Sequence, residues 1–125
     1  MVNKQVNVLL VEDNKDHQRL LQVYLENTNI NLDVANNARE LMAKLKSPVK
    51  YKIILLDIQL PEIDGYTIAK KLREKNKDII IIGLSAFAMK SDRTKAQAVG
   101  MNDYLTKPLD KKLFLAVLNK YLNKT

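Results

Sequence analysis

Four polar signals stand directly after apolar runs in this chain. Glu12-Asp13 follows Val8-Leu9-Leu10-Val11, Asp57 follows Ile53-Ile54-Leu55-Leu56, Ser85 follows the run at 79–84, and Lys107-Pro108 follows residues 103–106. Carboxylates gathered in one crevice repel, and they stay ionised at neutral pH only if something cationic neutralises them. Oxygen ligands without His or Cys suit a hard divalent ion, Mg²⁺ above all, which is commonly held by one or two carboxylates, a carbonyl, waters and a substrate phosphate. Lys107 adds a point charge suited to a phosphoryl oxygen, and Ser85 adds a donor. The set fits phosphoryl transfer rather than hydride or acyl transfer. Each signal also has a plain structural use: an acidic pair after a strand can cap a helix, and Asp13 can do both jobs. An Asp ending a run as apolar as 53–56 is harder to dismiss, because a nearly buried carboxylate is costly when unpaired. It is the joint occurrence at strand ends that points to one site.

Such residues meet only if the elements bring the strand ends together. Apolar runs and helical stripes alternate five times from end to end, with no Pro/Gly/Ser-rich linker, low-complexity tract or further repeat. The first strand is read at residues 6–11. Asp13 or Asn14 then caps a helix with His17, Leu20, Leu21, Tyr24 and Leu25 on one stripe, running to about Glu26. Residues 31–35 alternate as a second strand, and Asn36 or Asn37 caps a helix through Leu41 and Leu45 that Ser47-Pro48 closes. A third strand at 53–56 precedes a helix opened by Asp64 or Gly65, with Ile68, Ala69 and Leu72 on its stripe. A fourth strand at 79–84 precedes a helix capped by Ser91-Asp92 and ended by Gly100. A short fifth strand at 103–106 leads to a last helix with Phe114, Val117, Leu118, Tyr121 and Leu122.

Strand composition gives the sheet order. A parallel strand covered on both faces reads as a continuous apolar run, whereas an edge strand alternates or is short. Strands one, three and four are continuous, and strands two and five belong at the edges. The expected fold is α/β, a flavodoxin-like doubly wound (βα)5 domain with a parallel five-stranded sheet of order 2-1-3-4-5. Helices one and five should cover one face and two, three and four the other, since crossovers are right-handed. Ligands in such sheets sit beyond the carboxyl ends of the strands where the order reverses, here between strands one and three, about 5 Å apart.

At these residues the sequence resembles the receiver domain of two-component response regulators over nearly its whole length. The matching segments are Val8-Leu9-Leu10-Val11-Glu12-Asp13-Asn14, Leu55-Leu56-Asp57-Ile58-Gln59-Leu60-Pro61-Glu62-Ile63-Asp64-Gly65, Leu84-Ser85-Ala86-Phe87-Ala88 and Tyr104-Leu105-Thr106-Lys107-Pro108. The resemblance implies one receiver domain over 1–125, in which Asp57 accepts a phosphoryl group from a phosphohistidine of a histidine kinase or phosphotransfer domain. It implies that Glu12, Asp13, Asp57 and the Gln59 backbone carbonyl attend Mg²⁺, that Ser85 and Lys107 hold phosphoryl oxygens, and that Pro108 follows a cis peptide. It further implies a switch in which Ser85 moves toward the phosphoryl group and Tyr104 turns into the vacated space. The face of helix four, strand five and helix five then changes shape for a downstream protein partner. Ser85 stands where Thr is at least as common, which keeps the hydroxyl. Gln59 and Phe87 line the approach to the phosphoryl group. His17 is read as neither phosphohistidine nor metal ligand, having no partner at metal spacing and apolar companions on its stripe.

Composition bounds the alternatives. The 125 residues carry 21 basic and 14 acidic side chains, a net charge of +7, and no cysteine. Disulfide scaffolds, thiolate metal sites and cysteine nucleophiles are excluded. No apolar run approaches the ~20 residues of a membrane helix and no secretory pattern opens the chain, so a soluble, cytoplasmic protein is expected. The positive charge is spread over 44–52, 70–77, 90–95 and 107–124 with only seven aromatic residues, which favours solvated helix faces over a nucleic-acid surface. A flavin module is disfavoured because Glu12-Asp13-Asn14-Lys15-Asp16 would repel its phosphate. No Gly-rich Lys-Ser/Thr loop is present. A phosphohydrolase with an Asp nucleophile usually has a second Asp two residues on, where Gln59 stands, and no cap is expected in this length. A DNA-binding regulator would need an output domain, for which these residues leave no room. Met1 and the lack of a trailing linker lean the expectation toward a free-standing regulator over a segment of a hybrid kinase.

Overall fold

The three continuous apolar runs form the interior of a parallel sheet. The computed structural model describes residues 5–87 and 89–123, so Ala88 of the third motif segment and Lys124 of the last basic stretch lie outside the described residues. The elements are β1 (Val6–Val11), α1 (Lys15–Tyr24), β2 (Ile30–Ala35), α2 (Ala38–Leu45), β3 (Ile53–Asp57), α3 (Gly65–Lys75), β4 (Ile80–Ser85), α4 (Lys90–Ala98), β5 (Asp103–Thr106) and α5 (Lys111–Leu122). The strands are parallel in the order β2-β1-β3-β4-β5, as strand composition requires. Val11 is level with Leu56, Asp57 with Leu84 and Ser85 with Thr106, so the four polar signals emerge along one edge of the sheet.

Two apolar layers cover the sheet. Leu21 and Leu25 near α1 and Phe114, Leu118 and Tyr121 of α5 pack with Val8, Leu10, Ile53 and Leu55 on one face. Leu41 of α2, Ile68 and Leu72 of α3 and Ala96 of α4 pack with Leu9, Ile54, Leu56 and Ile81 on the other. Each fully buried Leu or Ile contributes about 1.5–3 kcal/mol of transfer free energy, so the alternate faces of β1 and β3 are anchored from both sides. Among the described residues, no helix is long and apolar enough to cross a membrane.

Several local expectations shift. Asn14, not Asp13, caps α1, its Oδ1 accepting from His17 N at 3.0 Å. Asn37 caps α2 and Asp64 caps α3. Helix α1 ends at Tyr24, two residues early, and its buried side chains are Gln18 and Leu21, while His17 and Leu20 are exposed. The first turn lies beside the β1–α1 loop rather than over the sheet, and Gln18 donates to the Glu12 main-chain carbonyl there. Strand β4 starts one residue later than expected and takes in Ser85, because pairing with β3 begins at Ile53 and Ile80. Ser91 and Asp92 do not cap α4: Met89 occupies that position without a side-chain bond, and Asp92 lies in the first turn where its charge favours the helix dipole.

Candidate functional site

Burial of the acidic residues follows from where each apolar run stops. Glu12 and Asp57 are 1% and 3% exposed, each one residue past a fully buried Val11 or Leu56, whereas Asp13 projects into solvent. Strand adjacency then brings their oxygens together: one carboxylate oxygen each from Glu12, Asp13 and Asp57 lie within 4.8 Å of one another. Lys107, directly after β5 and followed by a cis bond to Pro108, places Nζ 2.7 Å from Glu12 Oε1 and 3.3 Å from Asp57 Oδ2. One ammonium thus contacts two carboxylates of a group of three. Burial pushes the Glu12 carboxyl above its ordinary range, and the neighbouring Asp57 adds to that effect while Lys107 opposes it. The donor set, all hard oxygens around an excess of negative charge, fits Mg²⁺.

The backbone around Asp57 is held closely. Gln59 N donates to Asp57 Oδ1 at 2.9 Å, and Asn14 N donates to Glu12 Oε2 at 3.2 Å. Gly65, the first residue of α3, lets that helix start against the back of the β3–α3 loop: a Cβ there would lie 2.6 Å from Ile58 Cα and 2.9 Å from the Asp57 carbonyl oxygen. Ser85 is fully buried, and its Oγ accepts from Phe87 N at 3.0 Å. Its carbonyl accepts from Lys107 N at 2.7 Å, tying β4 to the turn that carries the ammonium.

Tyr104 is buried on the α4 side of the sheet. Gly83, level with it on β4, leaves room for its ring, since a Cβ there would lie 3.3 Å from Tyr104 Cδ1. The Tyr104 hydroxyl donates to the Phe87 carbonyl at 2.8 Å, and the Arg93 guanidinium of α4 lies 5.4 Å from the ring centroid. Helix α4 buries only Ala96 among its described side chains, and Arg93 adds a contact from it to Tyr104 of β5.

The sequence reading missed the roles of two side chains at the site, His17 and Gln18, and one contact of Gln59. His17 Nδ1 lies 3.3 Å from Glu12 Oε1 and 3.1 Å from Lys107 Nζ, so the residue does have polar neighbours at the crevice. Gln18 supports the Glu12 main chain and also donates to Asn36 Oδ1. Gln59 Oε1 accepts from Ala86 N at 3.2 Å, linking two loops that are distant in sequence. A helix following directly on a strand-end acid must carry its first turn past the strand ends, and that offset was the available signal for His17 and Gln18.

A doubly wound parallel sheet with acidic residues at the carboxyl ends of β1 and β3, a hydroxyl at the end of β4 and a Lys-Pro turn after β5 defines a class of α/β domains with an acidic crevice at the strand ends. Residues 8–119 match the response regulator receiver domain, and the chain belongs to that family. It is 34% identical over 119 residues to an uncharacterised 14.6 kDa protein of Leptolyngbya boryana, covering 94% of this chain and 90% of that one. Of two hybrid signal transduction histidine kinases of Dictyostelium discoideum and two response regulators, it spans only 7% to 25%. The structure is similar to the receiver domain of Ssk1 solved with the histidine phosphotransfer protein Ypd1 of Saccharomyces cerevisiae, with a TM-score of 0.86 and 31% identity, over 97% of this chain and 91% of that one. It is also similar to the receiver domain of sensor histidine kinase PA1611 from Pseudomonas aeruginosa, solved with magnesium in its active-site cleft. That match has a TM-score of 0.82 and 28% identity, over 96% and 99% of the two chains.

Proposed function

We propose that residues 1–125 act as one receiver domain in phosphorelay signalling, with Asp57 as the phosphoryl acceptor. The observation that carries this reading is the Asp57 carboxylate, 3% exposed at the carboxyl end of β3, with the Lys107 ammonium 3.3 Å away and two further carboxylates beside it. In the transfer, an Asp57 oxygen forms a bond to phosphorus as the phosphorus–nitrogen bond of a donor phosphohistidine breaks, and the imidazole leaves with the bonding pair. Lys107 can turn from Glu12 to the incoming phosphoryl oxygens, and the Ser85 hydroxyl can donate to one of them. Gln59 N fixes Asp57 Oδ1, orienting the other oxygen for attack. Mg²⁺, held by Glu12, Asp13, Asp57 and the Gln59 carbonyl, would neutralise charge on the carboxylates and the phosphoryl group.

The donor in this reading is a histidine kinase or phosphotransfer protein, which the likeness to the Ssk1 receiver domain supports. The output is a protein partner at the face of α4, β5 and α5, where Lys90, Arg93, Lys95, Lys111 and Lys112 are exposed around Tyr104. A basic face of this kind selects an acidic partner and makes association salt-sensitive. Ser85 and Tyr104 would couple the two sites, and the chain would act in the cytoplasm. Incubation with acetyl phosphate and Mg²⁺ should add one phosphoryl group by intact mass. Labelling that persists in Asp57→Asn would sink the assignment.

A further inference from the structure

At the other end of the strands from the acidic crevice, the apolar layer under α2 and α3 is left open. Met42 and Leu45 of α2, Leu72 of α3 and Ile79, just before β4, belong to that layer and line a cavity of ≈ 270 Å³. Its rim carries Lys46, which follows α2, and Lys75, the last residue of α3, both exposed. Past Leu45 and Ile79 the groove continues into a second concavity of ≈ 300 Å³ that reaches Val49, Lys50 and Tyr51. No acidic residue lines either part. Among the described residues, Lys46, Lys50 and Lys75 form no ion pair. Lysines at helix carboxyl ends ordinarily offset the dipole there. At α3 that task already falls to Arg73, which donates to the carbonyls of Asn76, Lys77 and Ile79 and is the group on which Asp78 acts. In α2, Lys44 occupies the last turn. Lys46 and Lys75 are therefore surplus charge beside an open apolar floor.

We propose that this groove binds a small amphipathic carboxylate, its anionic head between Lys46 and Lys75 and its hydrocarbon chain on Met42, Leu45, Leu72 and Ile79. The floor supplies affinity in proportion to the apolar area it removes from water, and the unpaired ammonium groups select a negative head over a positive one. Ligand pockets run from about 300 to 1,000 Å³, so a cavity at the small end of that range takes a short chain rather than a folded partner. The net charge of +7 biases approach in the same direction. A nucleic-acid backbone would use the lysines and leave the floor open to water. The groove shares no lining residue with the acidic crevice, so the proposal stands apart from the Asp57 reading.

The probes are butyrate, hexanoate and octanoate, each titrated into the full chain below the concentration at which it forms micelles and followed by methyl and amide NMR shifts. Octanoate should shift Met42, Leu45, Leu72 and Ile79 saturably, and each added methylene should tighten binding about 2- to 4-fold. Lys46→Gln and Lys75→Gln, both at exposed positions, should each weaken octanoate binding about 2- to 5-fold. Octylammonium should give no saturable shift. Equal affinity for the three chain lengths would remove the apolar floor from the site, and equal binding of octylammonium would remove the lysines. Either result overturns the proposal, as do octanoate shifts that fall outside the groove or persist unchanged in the double variant Lys46→Gln/Lys75→Gln. Absence of a saturable octanoate shift overturns it outright. If the chain then cosediments with phosphatidylglycerol vesicles and the double variant does not, the groove belongs to a lipid surface instead.

Discussion

The two ends of the sheet each carry a partly buried cation, and the two are used in opposite ways. At the amino end, the Arg73 guanidinium of α3 donates to the carbonyls of Gly100, Asn76, Lys77 and Ile79 and to Asn102 Oδ1. All of these acceptors are neutral, and burial lowers the Arg73 pKa from its ordinary value. At the carboxyl end, Lys107 contacts two carboxylates within a group of three. Arg73 spreads the fixed donors of its guanidinium over neutral oxygens of three segments, so it fastens α3 to the chain entering β4 and β5. Lys107 is a point charge on a flexible stem among anions that outnumber it. Its partners can be exchanged, because added positive charge or added phosphoryl oxygens change which contact is best. A planar, saturated cation builds a fastener, and an undersupplied one builds a site.

The largest consequence of this contrast should appear at Arg73. Arg73→Ala removes the donor from the part-buried carbonyls of Gly100 and Ile79 and should cost about 2–4 kcal/mol by urea denaturation, with no recovery on adding Mg²⁺. An equal recovery with Mg²⁺ would erase the distinction between the two ends.

Lys107→Met should be milder and metal-dependent. Without Mg²⁺ it leaves the buried Glu12 and Asp57 unneutralised and should cost about 1–3 kcal/mol, most of it regained in millimolar Mg²⁺. Acetyl phosphate labelling of the variant should drop severalfold even where stability is restored. Matching denaturation curves with and without the metal would contradict the neutralising role.

A smaller effect is expected at Asp13, which is exposed and loses little on neutralisation. Thermal unfolding of the parent should move upward by a few degrees in millimolar Mg²⁺. Asp13→Asn removes one repelling charge and one ligand, so its shift should shrink, and a shift as large as the parent's would remove Asp13 from the metal site.

The smallest effect is in the pH dependence of the metal-free protein. Burial raises the Glu12 pKa above its ordinary 4.5, so the folded chain still holds this proton at a pH where the unfolded chain has released it. Stability contributed by that proton is complete below pH 4.5 and is lost as pH rises through the folded pKa. Glu12→Gln should therefore show a flatter decline than the parent over that window, measured by chemical denaturation at stepped pH. A parent curve that instead rises relative to the variant would reverse the sign assigned to burial.

Much of the fold was legible because parallel strands buried on both faces cannot hide their composition. Val8-Leu9-Leu10-Val11 and Ile53-Ile54-Leu55-Leu56 required interior positions, and the polar residues 31, 33 and 103 required edges; the observed order follows. Helix starts were less legible, since a cap depends on one hydrogen bond. Asn14 and Asn37 were among the candidates, but Ser91-Asp92 was too late for α4, whose start follows the backbone path after β4. His17 was misread because a stripe at helical spacing does not reveal where along the helix the sheet beneath it ends.

The amino-acid sequence by itself determined the residue types at the strand ends, and with them the kind of chemistry, because apolar runs fix the strands and each run ends at a named polar residue. It also determined which strands lie inside the sheet, since only both-face burial explains an uninterrupted apolar run. The tertiary structure alone decided how the charges are shared: that Lys107 lies closer to Glu12 than to Asp57, that His17 borders the crevice, and that Gln59 holds the Ala86 amide. Those are contacts between loops far apart along the chain. Their geometry depends on side-chain paths and on competition for a few donors, and no local spacing rule encodes either.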